Sequence, residues 1–338
     1  MPTLSSQRPR VALIGCGGTM SSLGTSSLDL MDYPEFGSKL SPEQILERVP
    51  EAAQIAEVEA VPFRSVGSTA LTPADWFELR ARIRALAREQ PTLAGVVIVH
   101  GTATLEETAF FLNLTLDVSL TVVLVGAQRP ISAVGSDATM NLVGALRVAA
   151  DPASRGRGVL VVLNDEIHAA RDVVKTSTLR LQTFRSADFG ALGVVDPDGL
   201  HYYRRAERLH APDGAFRDLP DDTVLPRVDI LYSYVGADET FVDAALAKGA
   251  RGLVSAGLAP GIPAKAEHAA LLAAVRRGVP VVQCSRAASG RVAARRHLRD
   301  NGFIPGEDFS PQKARILLAL GLAAHADGPG LLHHFQSH

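Results

Sequence analysis

The chain has 338 residues, 46% of them hydrophobic and 21% charged, with a formal net charge of -2. That length exceeds what one hydrophobic core organises, so two domains are expected. The near-neutral charge argues against nucleic acid as a partner. Two cysteines, Cys16 and Cys284, cannot build a disulfide framework, and each closes an apolar run where a buried thiol is expected.

The first ten residues, MPTLSSQRPR, are polar and basic and lack the apolar segment of a secretory signal. No run of about 18 apolar residues follows, so the expectation is a cytoplasmic protein with no membrane partner. Apolar, β-branched runs at Val11–Ile14, Val58–Val61, Val96–Val99, Val122–Val125 and Val159–Leu163 read as buried strands. Helical spacing separates them over Pro73–Ala87, Glu106–Leu116 and Met140–Ala150. This alternation predicts an α/β fold with a parallel sheet covered on both faces. From His201 to Pro226 the periodicity dissolves. The rhythm then resumes with strands at Val228–Leu231, Gly252–Ser255 and Val281–Gln283, and helices over Glu239–Lys248, Ala264–Arg277 and Pro311–Ala324. The domains are therefore an N-terminal catalytic α/β domain over 1–203, a linker over 204–225 and a smaller C-terminal α/β domain over 226–338. The arginines from Arg291 to Arg299 read as a solvated helix face.

In open parallel sheets ligands bind beyond the carboxyl ends of the strands. Four such loops stand out: GCGGTMSS after Ile14, VGSTALTPADW, HGTATLEETA after Val99, and NDEIHAARDVVKTST with Lys175. The first lacks the third glycine of a dinucleotide fingerprint and the lysine of a P-loop, which argues against nucleotide binding. Its glycines allow positive φ and leave backbone N–H groups uncovered beside Thr19, as an oxyanion site needs. Thr19 and Ser21 bonding the turn is the competing reading. In the third loop Thr104-Leu105-Glu106-Glu107 has capping-box spacing, which makes Thr104 structural and leaves Thr102 unassigned. His100 reads as a satisfied histidine at a strand end, and Lys175 alone as a solvated lysine. Metal binding has no support: HExxH and paired cysteines are absent and the histidines are scattered.

Taken in order, GCGGTM, HGTATLEETAFFL, VVLVGAQRP, GVLVVLNDEIHAARDVVKTST, VSAG and SPQKARILLAL resemble the bacterial-type asparaginase/glutaminase family over nearly the whole chain. The resemblance implies a two-lobed fold with the active site in the larger N-terminal lobe. It also implies a homodimer or homotetramer with active sites near a subunit interface, and a small-molecule substrate. Carried over by position, Thr19 matches the nucleophilic threonine and Tyr33 the tyrosine that helps to activate it. Thr102 and Lys175 match the second threonine and its lysine, and Ser68 matches the serine that holds the substrate α-carboxylate. Gly18 and Gly101 belong to the matching substrate-binding turns. Threonine needs a base to become a nucleophile, a neutral lysine or polarised tyrosine can serve, and no metal or organic cofactor is required.

The family reads His-Gly-Thr-Asp-Thr where this chain has His100-Gly101-Thr102-Ala103-Thr104. In the family that aspartate binds the substrate ammonium and stands beside the lysine; Ala103 does neither. The C-terminal lobe of the family also reaches the neighbouring subunit's site with an asparagine and a glutamate, and the corresponding positions here are Pro260 and Arg295. Unpaired ammonium facing arginine out of water is costly, so a substrate lacking a free α-amino group is expected: an amide, ester or lactone. Loss of the carboxylate should also lower the pKa of Lys175 relative to the family. An ordinary L-asparaginase and a catalytically weak binding protein on the same fold are the alternatives.

Overall fold

The computed structural model describes residues 8–338, and its contacts divide the chain into two compact units that meet between Arg217 and Asp218. The N-terminal stretch read above lies outside the described residues as far as Gln7. The first unit carries β1 (Arg10–Gly17), β2 (Ser22–Leu23), α1 (Tyr33–Phe36), β3 (Ser38–Lys39), α2 (Pro42–Arg48), α3 (Ala52–Ile55), β4 (Glu57–Val66), α4 (Pro73–Glu89), β5 (Leu93–Val99), α5 (Leu105–Thr115) and β6 (Thr121–Val125). It continues with α6 (Ala138–Ala150), β7 (Val159–Leu163), β8 (Glu166–Ala169), β9 (Val174–Lys175), β10 (Phe184–Arg185), β11 (Gly193–Asp196) and β12 (Gly199–Tyr202). The second carries β13 (Val228–Tyr232), α7 (Thr240–Ala247), β14 (Gly252–Gly257), α8 (Lys265–Arg276), β15 (Val281–Ser285), α9 (Arg296–Asp300), β16 (Ile304–Pro305), α10 (Pro311–Ala323) and α11 (Gly328–Ser337).

The main sheet of the first unit has eight strands in the order β12-β11-β8-β7-β6-β5-β1-β4. From β4 to β7 every pairing is parallel. Beyond β7 the sheet turns antiparallel through β8, β11 and β12, so it is mixed where an all-parallel one was expected. The apolar runs are continuous because both faces are covered. Val11, Leu13, Val97, Val99, Val123 and Val125 face Ile45 and Val49 on one side of the cluster and Leu142 and Leu146 of α6 on the other. Residues of opposite parity, such as Ile14, Ile98 and Leu124, are equally buried, and α4 and α5 pack against β5, β6 and β7.

The segment expected to be a linker is irregular, and as far as Arg217 it belongs to the first unit. Phe216 is buried, and its N–H donates to Leu114 O at 3.2 Å within the first unit. The second unit is a parallel sheet in the order β13-β14-β15-β16. Leu231, Leu253 and Val281 meet Val242 and Leu271 of α7 and α8. On the opposite face Gly252 leaves room for Leu318 of α10, which a Cβ there would meet at 2.9 Å. Cys16 and Cys284 are free and buried. Among the described residues no helix is long and apolar enough to cross a membrane.

Candidate active site

Three loops at the carboxyl ends of β1, β4 and β5 touch through their backbones. The chain leaves β1 through Gly17 and Gly18 at φ of 80° and 89°, a region that favours glycine. A Cβ on Gly18 would lie 2.4 Å from Gly101 Cα, and one on Gly101 would lie 2.8 Å from Ser68 Oγ. Only hydrogen fits at either place, so Thr19, Thr102 and Ser68 leave from one crossing. Beneath it, a Cβ on Gly126 would lie 2.9 Å from both His100 O and Thr102 Cγ2. Asp137 holds that turn in place by accepting the N–H groups of Gln128 and Arg129 at 2.9 and 3.0 Å.

Thr19 Oγ1 stands 2.9 Å from Tyr33 Oη, and either can donate. The glycine turn is bonded by Ser21 and Ser22 instead, whose hydroxyls each donate to Gly18 O at 2.9 Å. Thr19 is thereby left to face the tyrosine. Tyr33 reaches it because Asp29 organises the preceding loop: Oδ1 accepts the N–H groups of Asp32 and Tyr33 at 2.9 and 3.1 Å, and Oδ2 accepts that of Thr25 at 2.9 Å. The bonds from Thr25 foremost, and that from Asp32, hold the Asp29 carboxyl below the usual range. The antiparallel β2 and β3 pair Ser22 with Lys39 and close the segment that carries Tyr33.

Lys175 Nζ donates to Thr102 Oγ1 at 2.7 Å, and the Lys175 backbone N–H donates to Glu106 Oε2 at 3.2 Å. Burial pushes the Lys175 ammonium below its ordinary value, and the Glu106 charge opposes that shift. Ala103, between the two threonines of the loop, is exposed. Ser68 is buried at 4% exposure.

His100 is fully buried and neutral, its pKa pulled down to about 4 by desolvation. Gly101 O can only accept, so Nδ1 of His100 carries the proton and donates to it at 2.8 Å. Nε2 then accepts from Thr108 Oγ1 at 3.0 Å, and Thr108 Oγ1 accepts from Trp76 Nε1 at 2.9 Å. This relay fixes the carbonyl preceding Thr102. The capping box expected at Thr104 does not form: Thr104 is the N-cap residue of α5, but its side chain makes no cap bond. Its hydroxyl donates to Ser68 O at 3.0 Å, because the adjoining Ser68 turn offers a carbonyl that would otherwise lose its partner on burial.

In the second unit, Arg295 precedes α9 and its Nη2 donates to Gly261 O at 2.9 Å. The two C-terminal departures from the family pattern therefore meet, since Pro260 adjoins Gly261. The surrounding arginines are only partly a helix face: Arg291 pairs with Glu307 outside α9. Among the described residues, the one grouping with metal-ligand spacing is Asp196, Asp198 and His201 on the β11–β12 hairpin, and none of these belongs to the threonine site.

Asp29, Glu106 and Thr108 were not singled out by sequence. Asp29 had a faint signal, an acid four residues before Tyr33 in a serine-rich loop. Glu106 had none, since its partner lies 69 residues away.

Comparison with known proteins gives a consistent result. A family model described as Asparaginase, N-terminal, matches residues 10–208, and one described as Glutaminase/Asparaginase C-terminal domain matches residues 227–334. The probable L-asparaginase periplasmic of Haemophilus influenzae is 37% identical over 97% of this chain and 93% of its own. The glutaminase-asparaginase of Pseudomonas fluorescens biotype A is 33% identical over 96% of this chain and 89% of its own. Among solved structures, the probable cytoplasmic L-asparaginase from Campylobacter jejuni aligns with a TM-score of 0.92 at 34% identity, covering 98% of this chain and 100% of that one.

Proposed function

Because this chain belongs to the asparaginase/glutaminase family, whose members are amidohydrolases, we propose that it cleaves an amide lacking a free α-amino group through an acyl-enzyme on Thr19. Thr19 Oγ1 attacks the carbonyl while its proton passes to the Tyr33 oxygen 2.9 Å away and the Tyr33 hydroxyl gives up its own proton toward the leaving amine. Negative charge on the carbonyl oxygen is met by backbone N–H groups of the glycine crossing. The leaving amine takes a proton, and water then frees the acid from Thr19. Thr102, with Lys175 at 2.7 Å, is the second hydroxyl–base pair, and a lysine pushed toward neutrality by burial suits it to take a proton. Ser68 holds the substrate carboxylate.

The observation that carries the substrate assignment is Ala103, an exposed methyl where the family has the aspartate that greets an ammonium. Arg295, by position, stands where the family has a glutamate, and its Nη2 donates to Gly261 O next to Pro260. The substrate class is an N-substituted, deaminated or cyclic amide, or an ester or lactone, of a short dicarboxylic acid. The reading keeps a homodimer or homotetramer, and it keeps the cytoplasm, the compartment in the name of the Campylobacter protein. The names of the relatives favour a second reading, ordinary L-asparaginase.

One assay separates the two: ammonia release from L-asparagine and L-glutamine beside their desamino analogues. We expect turnover of the desamino amides, little of the amino acids, and an acyl adduct on Thr19 by mass spectrometry. L-Asparagine turnover with a millimolar or lower KM would overturn the substrate assignment, and full activity in Thr19→Ala would overturn the mechanism.

A further inference from the structure

The Thr102–Lys175 pair is held from an unexpected side. Glu106 sits in the first turn of α5, one helical turn beyond Thr102, and is 94% removed from solvent, its exposure being 6%. A carboxylate that deeply buried is costly unless it is bonded, and one of its oxygens accepts the backbone N–H of Lys175 at 3.2 Å. That bond joins the start of α5 to β9, across 69 residues of chain, at the residue whose side chain meets Thr102. Other charged groups stand on the elements around Lys175, among them Glu107 beside Glu106 in the first turn of α5. Arg171 pairs with Asp172 at 3.2 Å, and Arg185, on the strand paired with β9, acts on Glu166. At position 103, where the family has its acid, this chain has a methyl group.

Resting on the amidohydrolase reading above, we propose that Glu106 is a positioning residue for the Thr102–Lys175 pair, and that its carboxylate, in place of one at position 103, governs how readily Lys175 holds its proton. The backbone bond fixes where Nζ stands. The negative charge favours the ammonium and so opposes part of the lowering that burial imposes on Lys175.

The chain has five lysines, Lys39, Lys175, Lys248, Lys265 and Lys313, so lysine labelled with 13C at Cε gives a resolvable NMR titration in the free protein, with Lys175→Arg assigning the Lys175 signal. In Glu106→Gln, which keeps an oxygen for the N–H but removes the charge, we expect Lys175 to titrate at lower pH than in the wild type. The acidic limb of kcat/KM should move to lower pH with it, since the neutral base persists further into acid, while KM at the optimum stays within about twofold. Glu106→Asp, which withdraws the charge by one methylene, should fall between the two. An unchanged Lys175 titration in a folded Glu106→Gln protein overturns the proposal. Should that variant not fold, Glu106→Asp decides alone: a lower titration supports the proposal and an unchanged one overturns it. The titration is read without turnover, so it stands apart from the Thr19→Ala result that tests the hydrolase reading.

Discussion

His100 shows how much of the site depends on a residue that does no chemistry. Its imidazole is neutral in the fold, with a pKa near 4, against 6.5 when exposed. A histidine depressed in this way binds fewer protons folded than unfolded between those values, so stability is fully present above pH 6.5 and drains away as pH falls toward 4. The difference amounts to about 3 kcal/mol at most. Urea unfolding across this window should show that loss in the wild type and a flatter profile in His100→Asn, whose amide can still donate to Gly101 O. Equal slopes would mean that His100 is not buried neutral. Thr19, Thr102, Lys175 and Ser68 became candidates through the family resemblance of the loops that carry them, since taken alone those loops left Thr102 unassigned and Lys175 a solvated lysine. Asp29, Glu106 and Thr108 did not, because nothing in a buried acid or threonine names a partner dozens of residues away.

At the scale of elements, the parallel strands from β4 to β7 announced themselves as apolar runs, because burial on both faces removes alternation. The antiparallel edge did not: β8 contains Glu166 and His168, and β12 contains His201, a mixture that reads as loop. The helix α11 was hidden by Gly328-Pro329-Gly330, which resembles a breaker. Proline is tolerated in a first turn, where its missing N–H has no helical partner, and Asp327 caps the turn by accepting the Gly330 N–H at 2.8 Å. The glycine crossing makes the sharpest claim at this scale. Gly18→Ala combines a Cβ 2.4 Å from Gly101 Cα with a φ of 89°, and should destabilise the protein by about 3 kcal/mol or more. Thermal unfolding of this variant within a degree of the wild type would show that the two loops do not cross as described.

For the whole molecule, two units were legible from length and from the lapse in periodicity, whereas the packing of Phe216 against Leu114 was not, since an isolated phenylalanine among polar residues carries no pattern. Between Tyr202 and Val228 no helix or strand forms, and Arg204, Arg205 and Arg208 are exposed there. Limited trypsin digestion should therefore nick the native chain first at these arginines, near the end of the first unit; first cleavage inside either sheet would contradict the exposure of this stretch.

The two buried thiols have a practical corollary. Burial pushes Cys16 up to about 12 and Cys284 higher still, so neither forms appreciable thiolate at neutral pH. Maleimide reagents should find the native surface silent. A cysteine introduced at Leu28, which is 79% exposed in the loop that Asp29 organises, would then be the single attachment point for a fluorophore. The loop carrying Tyr33 could be followed during turnover in an otherwise unaltered protein.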